Sequence, residues 1–183
     1  MSVVEAPTRS RTGTAARSLA VLRIATGLLF LWAFADKAFG LGYATQSKNA
    51  WFSGGSPTKG FLSRVDVGPF ESTFHAWAGT WWADILFMAG LFAIGVAVTL
   101  GIGLRISAAA GAVMMVLMWA AEWPPAQHNS VGEATMSTNP IIDYHVVYAL
   151  VLIALAATAA GATWGVARWW ASLPIVKANS WLR

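Results

Sequence analysis

At 183 residues the chain has the length of one domain, but 57% hydrophobic against 11% charged residues lies outside the range of water-soluble domains and points to a bilayer as the solvent. The net charge of +4 does not mark a nucleic-acid binder, because the basic residues sit at the ends of apolar runs and form no compact cluster. The lack of cysteine excludes a disulfide, a persulfide carrier, an iron–sulfur cluster and a c-type haem attachment, so redox chemistry here needs a bound cofactor, a quinone or a partner subunit.

The first apolar run, Ser18 to Ala35, is interrupted only by Arg23, whose long side chain can snorkel towards the headgroups, and it reads as a first membrane helix. Arg9, Arg11 and Arg17 ahead of it and Ala33-Phe34-Ala35 at its end also resemble a signal peptide; the charge inside the run and the bulky Trp32 argue against cleavage. Ile85 to Leu104, Ile106 to Ala121 and Val146 to Ala167 are further charge-free or nearly charge-free runs, near the ~20 residues that cross a hydrocarbon core. Pro124-Pro125 is expected to end the third helix, Pro140 to open the fourth, and Gly161 with Gly165 to allow close helix approach.

These elements predict an all-α, four-transmembrane-helix up-down bundle over residues 18–167, with tails at 1–17 and 168–183. Arg9, Arg11, Arg17, Arg105, Arg168, Lys177 and Arg183, against Glu5 alone, fall on one side, which places both termini in the cytoplasm. Trp77, Trp81, Trp82, Trp119 and Trp123 are expected at the outer headgroups, and Trp164, Trp169, Trp170 and Trp181 at the inner ones. The outer connections, about Phe39 to Thr80 and Pro124 to Pro140, together with the adjoining helix ends, hold most of the carboxylates and all three histidines, so chemistry is expected there.

The run Asn139 to Tyr148 puts Asp143, Tyr144, His145 and Tyr148 in the first turns of the fourth helix, where Tyr144, His145 and Tyr148 can share one wall. His145 suits proton transfer near neutral pH and Asp143 could orient it; the plainer alternative is a capping aspartate beside an interfacial histidine. Met115, Met118, Trp119 and Glu122 form a stripe on the third helix that suits a quinone ring and its tail, or simply helix packing. Lys37 could hold an anion or a quinone carbonyl, or pair with Asp84. The loop Trp51 to Leu62, with Gly54 and Gly55, is expected to be ordered and to fold over the bundle mouth with backbone N–H groups free for an oxyanion, although turn chemistry explains the same residues. No metal site is expected, and His75 and His128 lie in predicted loops, which disfavours a bis-histidine haem.

The Trp51-Phe52-x-Gly54-Gly55 to Gly60-Phe61-Leu62 loop, Arg23 with Lys37, and the Asn139-Pro140 to Asp143-x-His145 run resemble the DoxX/DoxD family of small bacterial membrane proteins over about Ser18 to Gly165. The resemblance implies four membrane helices in the bacterial cytoplasmic membrane and a role like the DoxD-type subunit of thiosulfate:quinone oxidoreductase, which works with a second subunit, DoxA. It implies a quinone, menaquinone or ubiquinone, as acceptor and thiosulfate or another sulfur compound as donor. On this expectation His145, Asp143 and Glu122 handle protons, Lys37 and Arg23 stabilise negative charge, and Asp84, Tyr144, Tyr148, Trp119, Trp51, Gly54 and Gly55 shape the site. The alternatives are a membrane anchor or assembly subunit for a secreted redox enzyme and a small-anion transporter.

Overall fold

The computed structural model describes residues 13–182, so the expected charges at Glu5, Arg9, Arg11 and Arg183 lie outside the described residues. Eight α-helices occur among the described residues: α1 (Thr14–Phe39), α2 (Lys59–Leu62), α3 (Glu71–Trp77), α4 (Trp81–Leu100), α5 (Leu104–Glu122), α6 (Tyr144–Ala157), α7 (Ala167–Ser172) and α8 (Pro174–Ala178). No strand occurs there, only an isolated antiparallel bridge between His128 and Ala134.

Three of these helices, α1, α4 and α5, are long and apolar enough to cross a membrane. Their outward residues are as apolar as their inward ones: Leu86 on α4 and Val113 on α5 are 65% and 61% exposed. A helix that is hydrophobic all round is compatible with lipid on its outer side. The fourth helix is shorter than the apolar run suggests. It begins at Tyr144, with Asp143 as its N-cap, and ends at Ala157, so Pro140 lies before the helix rather than at its first turn.

The early end of α6 has a local cause. Ala159 adopts a left-handed conformation (φ 49°), and Ala160–Ala162 form a 3-10 turn. Gly161 then lies against Gly101 at the end of α4, where a Cβ would sit 2.1 Å from the Gly101 carbonyl oxygen. Gly161 and Gly165 therefore do provide close approach, but from an irregular segment and not from a helix.

α1 lies against α4, α5 against α6, and a looser seam separates α4 from α5. Phe30, Met88, Ile94, Met115, Leu152 and Leu155 form the shared core. In a bilayer such packing is driven by close contact more than by water exclusion, so small residues decide which helices pair tightly. Gly27 is the decisive one for α1 and α4: a Cβ there would lie 2.5 Å from the Thr99 backbone nitrogen.

The end bearing Arg17, Arg105, Arg168 and Lys177 is called the basic end below, and the opposite end the site end. The tail folds back onto the basic end: the Trp170 indole donates to the Leu182 carbonyl at 2.7 Å, and Arg105 donates to the Ser180 carbonyl at 3.4 Å. At the site end α3 packs through Phe74 against Ala121 of α5. His75 accordingly lies on a short helix and not in a loop, with Nε2 2.7 Å from the Val65 carbonyl.

Candidate functional site

The site is built where α5 ends and α6 begins. Asp143 accepts from the Val146 N–H at 3.1 Å, and its second oxygen lies 2.7 Å from His145 Nδ1. The imidazole, 1% exposed, thus presents its Nδ1 edge to a carboxylate. Glu122, the last residue of α5, comes within 4.0 Å of the same nitrogen and accepts a 2.5 Å hydrogen bond from the Tyr144 hydroxyl. Glu122, Asp143 and His145 converge within 4.8 Å, which gives a carboxylate–imidazole–carboxylate–phenol chain. Buried His145 Nε2 has no partner among the described residues.

Capping and proton handling are therefore not alternatives at Asp143. One oxygen caps α6 while the other orients His145. Such a chain links the phenol at the cavity to the buried imidazole through groups that can each donate or accept a proton.

Glu122 and Tyr144 also line a cavity of about 1500 Å³ in the seam between α4 and α5. Its floor is apolar, with Phe87 and Gly90 from α4 and Met114, Leu117 and Met118 from α5. Met118 and Glu122 of the expected stripe line this cavity, while Met115 is 4% exposed and belongs to the core. Lys37, Gly54 and Gly55 also join the lining.

The remaining candidates lie elsewhere. Tyr148 packs against the core, and the Tyr144 ring meets both Tyr148, edge to face at 6.1 Å, and His145, at 4.0 Å between ring centroids; Tyr144 is exposed while His145 is buried. Trp119 donates to the Ile141 carbonyl at 2.9 Å and braces the strand-free segment ahead of α6. Trp51 stacks on Phe52 and packs on the core.

Arg23 is at the basic end. Its guanidinium donates to the carbonyls of Val98 and Thr99 at the end of α4, and of Thr163 and Trp164 after α6. The Val98 and Thr99 carbonyls lie in the last turn of α4, where helix carbonyls run short of intrahelical partners, although Val98 also accepts from the Gly101 N–H at 3.1 Å. Arg23 is thus a staple across three chain segments, far from the His145 cluster.

Lys37 and Asp84 form no ion pair. Asp84 is in the first turn of α4, where its charge suits the helix dipole, and one oxygen accepts from the Ser56 hydroxyl, the Thr58 N–H and the Thr58 hydroxyl at 2.9, 2.9 and 2.6 Å. It pins the glycine-rich loop to the bundle. Gly54 and Gly55 donate their N–H groups to the carbonyls of Trp51 and Ala50, so neither amide is free for an oxyanion. Lys37 reaches over the Phe87 ring, 5.9 Å from its centroid.

Sequence reading missed two carboxylates. Asp36, 2% exposed, accepts from the N–H groups of Tyr43 and Ala44 and shapes the turn after α1. Asp66 accepts from the Ser130 hydroxyl and N–H at 2.6 and 3.0 Å and joins the segment before α3 to the segment between α5 and α6. Their partners lie up to 64 residues away, and no local motif signals them.

No family model, curated protein or solved structure matches this chain.

Proposed function

We propose that the chain is a quinone-interacting subunit of a membrane oxidoreductase of the DoxX/DoxD kind, taking electrons from a donor at the site end and delivering them to the quinone pool. The observation that carries this reading is the coincidence of an apolar seam with a protonatable wall: Glu122 and Tyr144 line the cavity, with His145 and Asp143 directly behind them. A quinone fits that combination, because its isoprenoid tail needs an apolar channel and its head takes up protons as it is reduced. Phe87, Met114 and Met118 would hold the ring and tail, and Lys37 would face the head. Glu122 would exchange protons with Tyr144 at the cavity and with His145 behind it, while Asp143 keeps the imidazole oriented.

The four-span topology is part of the proposal. Fourteen residues of α6 rise about 21 Å, short of the ~30 Å core, and the turn at Ala160–Ala162 extends its path. Arg17, Arg105, Arg168 and Lys177 at the basic end support a cytoplasmic location for both termini. A sulfur compound such as thiosulfate as donor, and a partner subunit, are carried by the resemblance alone.

The test is quenching of Trp77 and Trp82, which line the cavity, by a titrated menaquinone analogue. Saturable quenching is expected, with affinity about tenfold weaker in Glu122→Gln and Tyr144→Phe. Non-saturating quenching in folded protein would sink the proposal.

A second reading, an anchor for a secreted redox enzyme, draws on Val131 and Met136, which are 75% and 85% exposed in the outer segment. Under it Met136→Ser breaks complex formation and His145→Ala does not. The small-anion transporter is less favoured, because the Arg23 guanidinium is already engaged by carbonyls.

A further inference from the structure

The seam between α4 and α5 is charged unevenly. Lys37, Lys48, Lys59 and Arg64 line its mouth, against the single carboxylate of Glu122. Among the described residues none of these four cations forms an ion pair or donates a side-chain hydrogen bond; Lys37 lies over the face of Phe87 and feels the charge of the neighbouring Asp36. Like charges gathered around a low-dielectric cavity repel one another, and an anion among them removes that repulsion. The glycine-rich loop cannot supply the anion's partners through Gly54 and Gly55, whose amides are already used. The cations themselves must do so.

Below the mouth the cavity is apolar and opens sideways. Leu86, Val113 and Leu117 line it and are also exposed on the outer surface of the bundle, the surface that faces lipid. On α5 the lining runs from Ala109 to Glu122, about 20 Å along the helix axis, and one leaflet contributes about 15 Å of hydrocarbon. A ligand with a tail can therefore enter from the bilayer and keep its head at the cationic mouth.

We propose that this seam binds an anionic phospholipid, with its phosphate among Lys37, Lys48, Lys59 and Arg64 and an acyl chain between α4 and α5. The inference does not rest on the quinone reading, since a neutral quinone head has no need of four cations. A lipid bound there shares the cavity with any quinone and limits its access.

The full chain, purified in detergent and stripped of lipid, is titrated with phosphatidylglycerol, with phosphatidylcholine of identical chains, and with inorganic phosphate, and read by native mass spectrometry. Phosphatidylglycerol is expected to bind at least tenfold more tightly than phosphatidylcholine. In the Lys48→Gln/Arg64→Gln double variant, both positions exposed, its affinity should fall about twenty-five-fold, at roughly fivefold per cation. Equal binding of the two lipids by the wild type overturns the proposal without reference to any variant. So does full displacement of phosphatidylglycerol by inorganic phosphate at equal concentration, which would assign the mouth to a free oxyanion. Quinone quenching measured on the same samples separates the outcomes, because loss of lipid selectivity leaves the Glu122–Tyr144 wall intact.

Discussion

Arg23 shows how one residue type carries different meanings at different depths. In the sequence it is a charge inside an apolar run, and a charge there is a functional candidate by default. In the fold its four carbonyl partners lie at positions 98, 99, 163 and 164, and the side chain is fully buried. Removing it strands several carbonyls where water is scarce, so Arg23→Ala should cost about 3 kcal/mol. The readouts are a lower midpoint of thermal unfolding in detergent and faster proteolysis near Trp164; an unchanged midpoint would contradict the staple. His145 went the other way. Its partner Asp143 is two residues off and was legible, whereas Glu122, across the loop on another helix, became a partner only through packing.

Helix extents were legible where composition decides them and illegible where contacts do. The runs behind α1, α4 and α5 are apolar enough to read directly, because the demand of a hydrocarbon core acts on each residue separately. The run behind α6 is equally apolar past Ala157, yet the helix stops, since Arg23 and Gly101 draw the following residues into a turn. Ala159 holds that turn in a left-handed conformation that costs an L residue about 1 kcal/mol or more relative to glycine. It is exposed, so Ala159→Gly removes little packing and should stabilise the protein by about 1 kcal/mol. A rise in the unfolding midpoint checks this, and a fall would mean that the turn is not strained.

Across the whole molecule the segment before α3 and the segment between α5 and α6 are clasped by Asp66 and Ser130. The hydrogen bonds from Ser130 hold the Asp66 carboxyl below its ordinary value of 3.8, with the His75 charge adding to them. A lowered folded value means that the clasp contributes above pH 3.8 and is lost as pH falls through the lowered value. Amide exchange at Ser130 should therefore be slow at neutral pH and, corrected for the intrinsic pH dependence, accelerate below about pH 4 in the wild type and at every pH in Asp66→Ala. Protection that ignores acidification would show that the clasp is not what joins the segments. By itself the sequence determined an all-helical chain with bilayer-compatible runs, the basic character of one end and the neighbourhood of Asp143 and His145, because hydropathy, charge and short-range spacing are local properties. Only the tertiary structure decided that Glu122 completes the cluster, that Asp84 binds a loop instead of Lys37, and that four cations share one cavity. Those pairings join residues distant in the chain, and the close approach of helices, not any motif, selects them.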